Sequence, residues 1–494
     1  MMNDERGPEF WMGENTFHVP MAMHKEQQQR LLSRLRKLSE IDLNGVVLLQ
    51  GGRSQDWLRY DTDHERLFRQ ESFFHYLFGV KEPDFYGSLS ISTGKYILYV
   101  PRLPRSYQVW MGRILSTDEY RSMYGADEVR YTEELPDALT HETGGVGALY
   151  VLSGTNSDSG SRCMSADFKG IERFLLNKDV LYHELCECRV VKTELELELL
   201  RYVNRISSEA HMHVMKSVRP DMMEYQIEAN FCHYAYYYGG CRNTSYTCIC
   251  ASGENGSVLH YGHAAAPNSR QIRSGDMVLL DMGAEYHCYA SDITRSYPVT
   301  GKFTEQQRGV YEVVRRAQME VISRLKPGVF WPDMHRFAER CLCEGMKKLG
   351  LVRGDVEEMM KNHVGSLFMP HGLGHLMGID THDVGGFLGD VCERSEEPGL
   401  RHLRCWRKLE AGMVITVEPG IYFNWAELEE AMLDPSLKPF LAEEELVKYR
   451  YFGGVRIEDD VVVTPDGCEV LTVVPSDVEE IQRIMLQGKD VISS

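Results

Sequence analysis

Two aspartates, Asp281 and Asp292, lie in the stretch VLLDMGAEYHCYASDITRSYP. It reads as a β-hairpin: Met277–Leu280 is an apolar run, and Cys288–Thr294 mixes apolar with β-branched residues. A turn centred on Tyr286 and His287 would set the two aspartates directly opposite each other, side chains on one face. Carboxylates so placed repel and are costly in a half-buried sheet, and a cation between them removes that cost. A dinuclear site of hard, oxygen-rich character calls for about five or six protein ligands, mostly carboxylate with an imidazole among them.

Three further stretches could complete such a site. MPHGLGHLMGIDTHD holds His371, His375 and His382, and Gly372, Gly374 and Gly378 argue for sharp turns there rather than a helix. In ITVEPGIYF, Glu418 ends an apolar strand just before the Pro419-Gly420 turn. In GVRIEDDVVVT, Arg456, Glu458 and Asp460 share one strand face, with Val455, Ile457 and Asp459 on the other. Each has an ordinary reading alone: a hydrogen-bonding loop histidine, a turn glutamate, an aspartate capping a bulge. Carboxylates at the ends of several apolar strands, together with a histidine loop, point instead to a metal centre.

The elements that must position these residues fall into two regions. The 494 residues are enough for two or three domains, and 43% apolar with 26% charged is ordinary for a globular chain. A balance of 54 basic against 73 acidic residues, net −19, argues against nucleic acid or an anionic membrane as a main partner. Asp4, Glu5 and Arg6 without a following apolar region do not suit a secretory signal, and no apolar run approaches the ~20 residues of a membrane span, so a cytoplasmic location is expected. Thirteen cysteines include no C-x-x-C pair. The alternating pairs Cys186/Cys188, Cys248/Cys250 and Cys341/Cys343 read as reduced, buried thiols.

Residues 1 to about 24 lack a clear period and are expected to be loosely held. His24–Leu38 has a helical leucine stripe. Val46–Gln50, Phe73–Val80, Gly87–Thr93, Lys95–Val100 and Leu149–Ser153 read as strands, and Ser165–Leu176 as a helix, which together give a compact α/β domain. A boundary is placed at 188–192, before a long helix with Thr193 as N-cap. Helices follow at Met223–Tyr238, Thr304–Leu325 and Pro332–Leu349, and strands at Val414–Glu418 and Gly454–Thr464. The glutamate-rich Trp425–Tyr451 between those strands reads as a surface excursion.

Asp281 and Asp292 in the hairpin, His375 in HGLGH, Glu418 in TVEPGIY and Glu458 in RIEDD, in that order, resemble the five-ligand set of the pita-bread metallopeptidases. The likeness covers about residues 190–475. Within the family it is nearest to the proline-specific branch and its eukaryotic dipeptidases, through YTCICASGENGSVLHYGHAAAPN, LFMPHGLGHLMGIDTHDVGG and VEPGIYF. The segment 425–451 and the N-terminal extension depart from it. The resemblance implies an α/β N-terminal domain (1–190) plus an α+β pita-bread catalytic domain (191–494) with a curved, mainly antiparallel sheet. It implies two Mn²⁺ ions per subunit, with Asp292 and Glu458 bridging, Asp281 on one ion, and His375 and Glu418 on the other. Paired cations lower the pKa of a shared water, the implied nucleophile, and clamp attacking and leaving atoms. Glu418 would move a proton to the leaving nitrogen. Arg404 in LRHLRCW, helped by His260, would pair with the carboxylate of an Xaa-Pro dipeptide, and His382 would work near the scissile carbonyl. Arg456 would orient a ligand carboxylate. Release of free proline and a homodimer are the accompanying expectations. The rival readings are an Xaa-Pro aminopeptidase acting on longer peptides and an inactive pita-bread module that only binds.

Overall fold

The computed structural model describes residues 8–492 except 60, 65 and 389–393. The chain forms two compact units, Met1–Arg189 with Thr193–Glu196, and Val190–Lys192 with Leu197–Ser494.

The first unit begins with a small ribbon, β1 (Glu9–Phe10) paired antiparallel with β2 (Val19–Pro20). The expectation of a loosely held leading segment is therefore corrected from residue 8 onward, while residues 1–7 lie outside the described residues. The ribbon is tied by His18 Nδ1 at 2.8 Å from the Glu9 carboxylate and by Trp11 stacked on His18. Behind it, β3 (Val46–Gln50), β4 (Tyr86–Ser90), β5 (Tyr96–Val100), β6 (Glu128–Tyr131), β7 (Leu149–Val151) and β8 (Leu176–Asn177) make a mixed sheet in the order β6-β5-β4-β3-β7-β8. Val46, Leu48, Ile97, Tyr99, Leu149 and Val151 are core residues of this unit, as their near-continuous apolar runs require of strands buried on both faces.

Two expected elements differ. Phe73–Val80 is not a strand but part of a helix, Ser72–Phe78. The Glu71 side chain caps it by accepting from the Phe74 N–H at 2.7 Å, and Gly79 ends it at φ 64°. Phe73 through Phe78 are all buried, and a short segment apolar on every side has no period to separate helix from strand. Ser165–Leu176 is not a regular helix: Gly170 at φ 103° leads into a single 3₁₀ turn, Ile171–Arg173.

The second unit carries β9 (Asn243–Thr244), β10 (Ile249–Ser252), β11 (Met277–Asp281), β12 (Ala284–Tyr286), β13 (Tyr289–Ala290), β14 (Thr294–Pro298), β15 (Val414–Val417), β16 (Gly420–Tyr422), β17 (Gly454–Arg456), β18 (Asp459–Val463) and β19 (Cys468–Val470). Its ladders, β10-β11-β14, β13-β12-β9, β15-β18-β19 and β16-β17, pair antiparallel. Helices Glu305–Ile322 and Trp331–Lys348 supply Val321, Trp331 and Ala338 to a core shared with Leu373, Ile415, Val417 and Val461.

The aspartate hairpin differs in register from the sequence expectation. Tyr286 pairs with Tyr289, so the two-residue turn is His287-Cys288, with φ 48° and 63° as a twisted hairpin turn of this length requires. Asp281 therefore pairs with Thr294, not Asp292. Asp292 falls two residues further along, still on the face of Asp281. At Gly283 the backbones come so close that a Cβ would lie 1.8 Å from the Ser291 carbonyl oxygen.

The expected strand Gly454–Thr464 is broken between β17 and β18, and the peptide N–H of Glu458 in the break donates to the Thr294 carbonyl at 3.1 Å. The segment 425–451 is more than a surface excursion. Helix Trp425–Ala431 and the turns after it bury Leu428, Ala431, Leu441, Leu446 and Tyr449, with Tyr449 stacked on Phe423. Among the described residues, no helix is long and apolar enough to cross a membrane.

Gly283→Ala should cost about 3 kcal/mol of stability, since the added carbon meets backbone rather than a mobile side chain. Denaturant titration checks this; an unchanged midpoint would mean that the hairpin accommodates a Cβ.

Candidate metal centre

A cavity of about 690 Å³ opens in the second unit. Asp281, Asp292, His375, Glu418 and Glu458 all line it, as do His260, His382 and Arg404. The eight residues singled out in the sequence thus come together in one place. Asp281 ends β11, Asp292 precedes β14, Glu418 follows β15, and Glu458 sits in the break between β17 and β18. Carboxylates at strand ends and breaks reach the cavity while the apolar strand bodies stay in the core.

Within the group, ligand atoms of Asp292, His375 and Glu458 lie within 4.8 Å of one another. His375 Nε2 is 3.3 Å from Asp292 Oδ2 and 3.6 Å from Glu418 Oε1. The His375 ring sits edge-on to His382, centroids 4.5 Å apart. Its loop is held close to β15: the His375 N–H donates to Thr416 Oγ1, and a Cβ on Gly374 would lie 1.9 Å from the Thr416 carbonyl oxygen. That approach explains the glycine and the absence of a helix.

Arg456 and several residues without a role in the sequence analysis support the carboxylates. The Tyr246 hydroxyl donates to Asp281 Oδ1 at 2.5 Å, and Thr294 Oγ1 donates to Glu458 Oε2 at 2.6 Å. Asp460 Oδ2 accepts the Asp292 N–H at 2.9 Å. Arg456 donates from Nη2 to Asp281 Oδ2 at 2.5 Å, from Nε to Thr294 Oγ1, and from Nη1 to the Tyr422 hydroxyl. The carboxylate that it orients is Asp281 across the sheet, whereas its strand neighbour Glu458 stands 3.9 Å away. Tyr422 continues the chain to His371 Nε2 at 2.9 Å, and His371 Nδ1 lies 3.6 Å from Glu418. Tyr246 and Tyr422 stand inside quoted motifs, but no spacing rule marks a tyrosine as a carboxylate's donor.

The electrostatics are those of crowded acids. Burial, then the charge of Asp281, pushes the Asp292 carboxyl well above the carboxylate range. Burial, then Asp292 and Glu418, does the same to Glu458. Glu418 is raised to about 7 by burial, with His375 and Arg456 pulling the other way. His382 is held below the ordinary histidine value by desolvation and by His375 beside it.

The residues fit a divalent cation. His375 Nδ1 lies 3.2 Å from the Leu376 carbonyl, which can only accept, so Nδ1 carries the hydrogen. In the neutral ring the Nε2 lone pair then faces two carboxylates, an arrangement that a cation resolves. Hard oxygen donors with one imidazole are the chemistry of a hydrolytic metal centre.

Curved antiparallel ladders around buried carboxylates and one imidazole define a metal-dependent hydrolase of pita-bread architecture. The chain belongs to metallopeptidase family M24, whose model matches residues 198–465. The aminopeptidase P N-terminal domain model matches residues 24–150. The chain is 53% identical to an Xaa-Pro dipeptidase of Homo sapiens over 97% of its own length and 96% of the relative's. It is 37% identical to a probable Xaa-Pro aminopeptidase of Phaeosphaeria nodorum, covering 90% of this chain and 93% of that one. Among solved structures, aminopeptidase P of Pseudomonas aeruginosa matches with a TM-score of 0.76 and 30% identity over 96% of this chain and 99% of that one. A zinc-substituted aminopeptidase P of Escherichia coli in complex with product matches with a TM-score of 0.76 and 29% identity, covering 95% and 99%.

Raised carboxyl pKa values set a pH signature for metal-stripped protein. The unfolded chain gives up the Glu418 proton near 4.5 but the folded site holds it to about 7, so stability is present below pH 4.5 and is lost as pH rises through 7. A bound cation supplies the missing countercharge. The gap in Tm between loaded and stripped protein should therefore widen between about pH 4.5 and 7. Calorimetry of both forms tests this, and a gap independent of pH would argue against a shared carboxylate site.

Proposed function

We propose that this protein is a metal-dependent dipeptidase that cleaves dipeptides ending in proline and releases free proline. The observation that carries the reading is 53% identity to an Xaa-Pro dipeptidase along 97% of the chain. The same reading assigns residues 1–190 to the N-terminal domain and 191–494 to the catalytic domain. On this reading Asp281, Asp292, His375, Glu418 and Glu458 would hold two Mn²⁺ ions. When bound, the ions supply Lewis acidity, which activates water and polarises the scissile carbonyl.

The chain's own residues perform the remaining work. An Xaa-Pro bond is a tertiary amide without an N–H, and the ring restricts the residue before it, so a pocket built on that N–H would fail. Recognition falls instead on the free carboxylate of the proline. Arg404 lines the cavity and offers the planar fork that suits a carboxylate. His260, open to solvent within the cavity yet held below its ordinary value by partial desolvation and by Arg456, adds a neutral ring to the cavity wall. His382, likewise kept neutral, donates to the substrate near the scissile carbonyl. Glu418, beside His375 at the centre, would take a proton from the attacking water and pass it to the leaving nitrogen. Around it, Arg456 and Tyr246 fix Asp281, and Thr294 fixes Glu458, so the site is ordered before substrate arrives. Cytoplasmic residence suits the described cysteines, none of which is in a disulfide. Homodimeric assembly rests on the family resemblance.

An Xaa-Pro aminopeptidase is the second reading, favoured by the fungal relatives and the aminopeptidase P structures. Metal-stripped protein given Gly-Pro with and without Mn²⁺, alongside Gly-Pro-Ala, separates the two: hydrolysis of the dipeptide alone, restored by Mn²⁺, is the expected result. Preferential cleavage of the tripeptide would overturn the dipeptidase reading. Asp281→Asn and Glu458→Gln should each lower kcat by at least about 10²-fold through loss of ligand charge. Arg404→Ala should raise KM for Gly-Pro by about tenfold or more at unchanged metal content, and an unchanged KM would remove Arg404 from the carboxylate site.

A further inference from the structure

The loop between β10 and β11 carries His260 into the cavity, and Leu259, Tyr261 and His263 line the wall beside it. His260 and His263 are solvent-exposed, so burial of their own side chains does little to hold this part of the loop. The loop is held instead by Tyr261 and Leu259, which pack in an apolar cluster with Ile249, Ala251, Leu279 and Tyr422, and by its feet.

Both feet are gathered by one face of the helix Glu224–Gly239. Glu224, with none of its surface exposed, accepts from five groups. On the incoming side these are the Ser252 N–H at 2.8 Å, the Ser252 hydroxyl at 2.6 Å and Asn255 Nδ2 at 3.2 Å. At the tip side the Tyr261 hydroxyl donates at 2.6 Å, and on the outgoing side the Arg270 N–H donates at 2.9 Å. Arg270 reinforces the closure by donating to both Ser252 Oγ and Asp276. One turn further along, Glu228 accepts from Asn268 Nδ2 at 2.7 Å, and Asn268 itself bonds the Cys250 N–H and the Cys248 carbonyl. The helix start is joined to the outgoing foot through its backbone as well: the Glu224 N–H donates to the Arg270 carbonyl, and the Ile272 N–H to that of Met222.

A buried carboxylate receiving five donors from both ends of one loop is costly unless every bond is made, so it specifies a single loop conformation. It lies outside the cavity lining and touches none of the five carboxylate and imidazole residues of the centre. We propose that Glu224 is a positioning residue for substrate recognition: through Tyr261 and the loop feet it sets the place of His260, and so governs binding of the dipeptide rather than the metal-dependent step. This rests on the reading of His260 as a substrate contact. In Glu224→Gln an amide N–H₂ replaces one acceptor among five donors, which loosens the loop without changing any residue that faces the cavity.

The test measures kcat and KM for Gly-Pro and bound Mn²⁺ per chain in Glu224→Gln, in His260→Ala and in the double variant. Glu224→Gln should raise KM by about tenfold, with kcat and metal content within about twofold of the parent. The double variant should have the KM of His260→Ala alone, because Glu224 acts through that side chain. Tyr261→Phe, which deletes only the hydroxyl that joins the tip to Glu224, should raise KM in the same direction and supplies the answer if Glu224→Gln does not fold. A raised KM in His260→Ala with parental KM in Glu224→Gln and Tyr261→Phe would overturn the proposal, as would rises that multiply in the double variant or a loss of bound Mn²⁺ in Glu224→Gln. Parental KM in His260→Ala would instead reject the substrate role of His260 itself, a separately recognisable failure.

Discussion

Mutual repulsion of buried carboxylates is the constraint on which the rest of this structure depends. Asp281, Asp292, Glu418 and Glu458 face one cavity, with Asp460 buried just behind Asp292. In a folded chain alone, such a group can persist only by keeping protons, because burial and then neighbouring carboxylates raise the carboxyls of Asp292, Glu458 and Asp460. The protein answers with Arg456, whose guanidinium bonds Asp281 and Thr294 and, through Tyr422, reaches His371. A bound metal would supply the remaining countercharge. The apolar strands that present these acids, from Met277–Leu280 to Val414–Val417, must in turn be packed well enough to hold like charges together.

The chemistry was more legible in the sequence than the geometry. A carboxylate at the end of an apolar strand is conspicuous because nothing in a core calls for it, and Asp281, Glu418 and Glu458 stand out for that reason. The long helix after the domain boundary was equally plain with its cap, as Thr193 before Glu194–Ser217 shows by accepting from the Glu196 N–H. What failed was local. SFFHYLF has no polar face, so its helical state is decided by Glu71 and Gly79 at its ends rather than by period. The hairpin turn was misplaced by one residue because neither His287 nor Cys288 advertises a left-handed backbone as glycine or asparagine would. The break before Asp459 was invisible, since Ile457 and Glu458 continue a perfect alternation. Tyr246, Thr294 and Tyr422 gained their meaning only from residues distant in the chain.

A division of labour follows from where each residue sits. The carboxylates assigned to metal are on or beside strands, anchored by backbone bonds such as Glu418 N–H to the Leu373 carbonyl and Glu458 N–H to that of Thr294, and the loop of His375 is tied to β15 through Thr416. Those assigned to substrate, His260, His382 and Arg404, lie on loops, where position depends on side-chain networks such as the one around Glu224. A rigid centre beneath adjustable walls lets the chemistry stay fixed while the walls decide which peptide enters.

The diagonal placement of Asp281 and Asp292 carries a consequence for how this hairpin can change over time. Pairing Asp281 with Thr294 leaves the second aspartate one step of the ladder nearer the turn, and both reach the same face only because that step is two residues. A single residue gained or lost around His287-Cys288, if absorbed by the ladder, would send one carboxylate to the opposite side of the sheet. Within the ladder residues can therefore be gained or lost only in pairs, or with a bulge that absorbs the odd one. Length variation between Asp281 and the turn is quantised, and the quantum is set by the pleat.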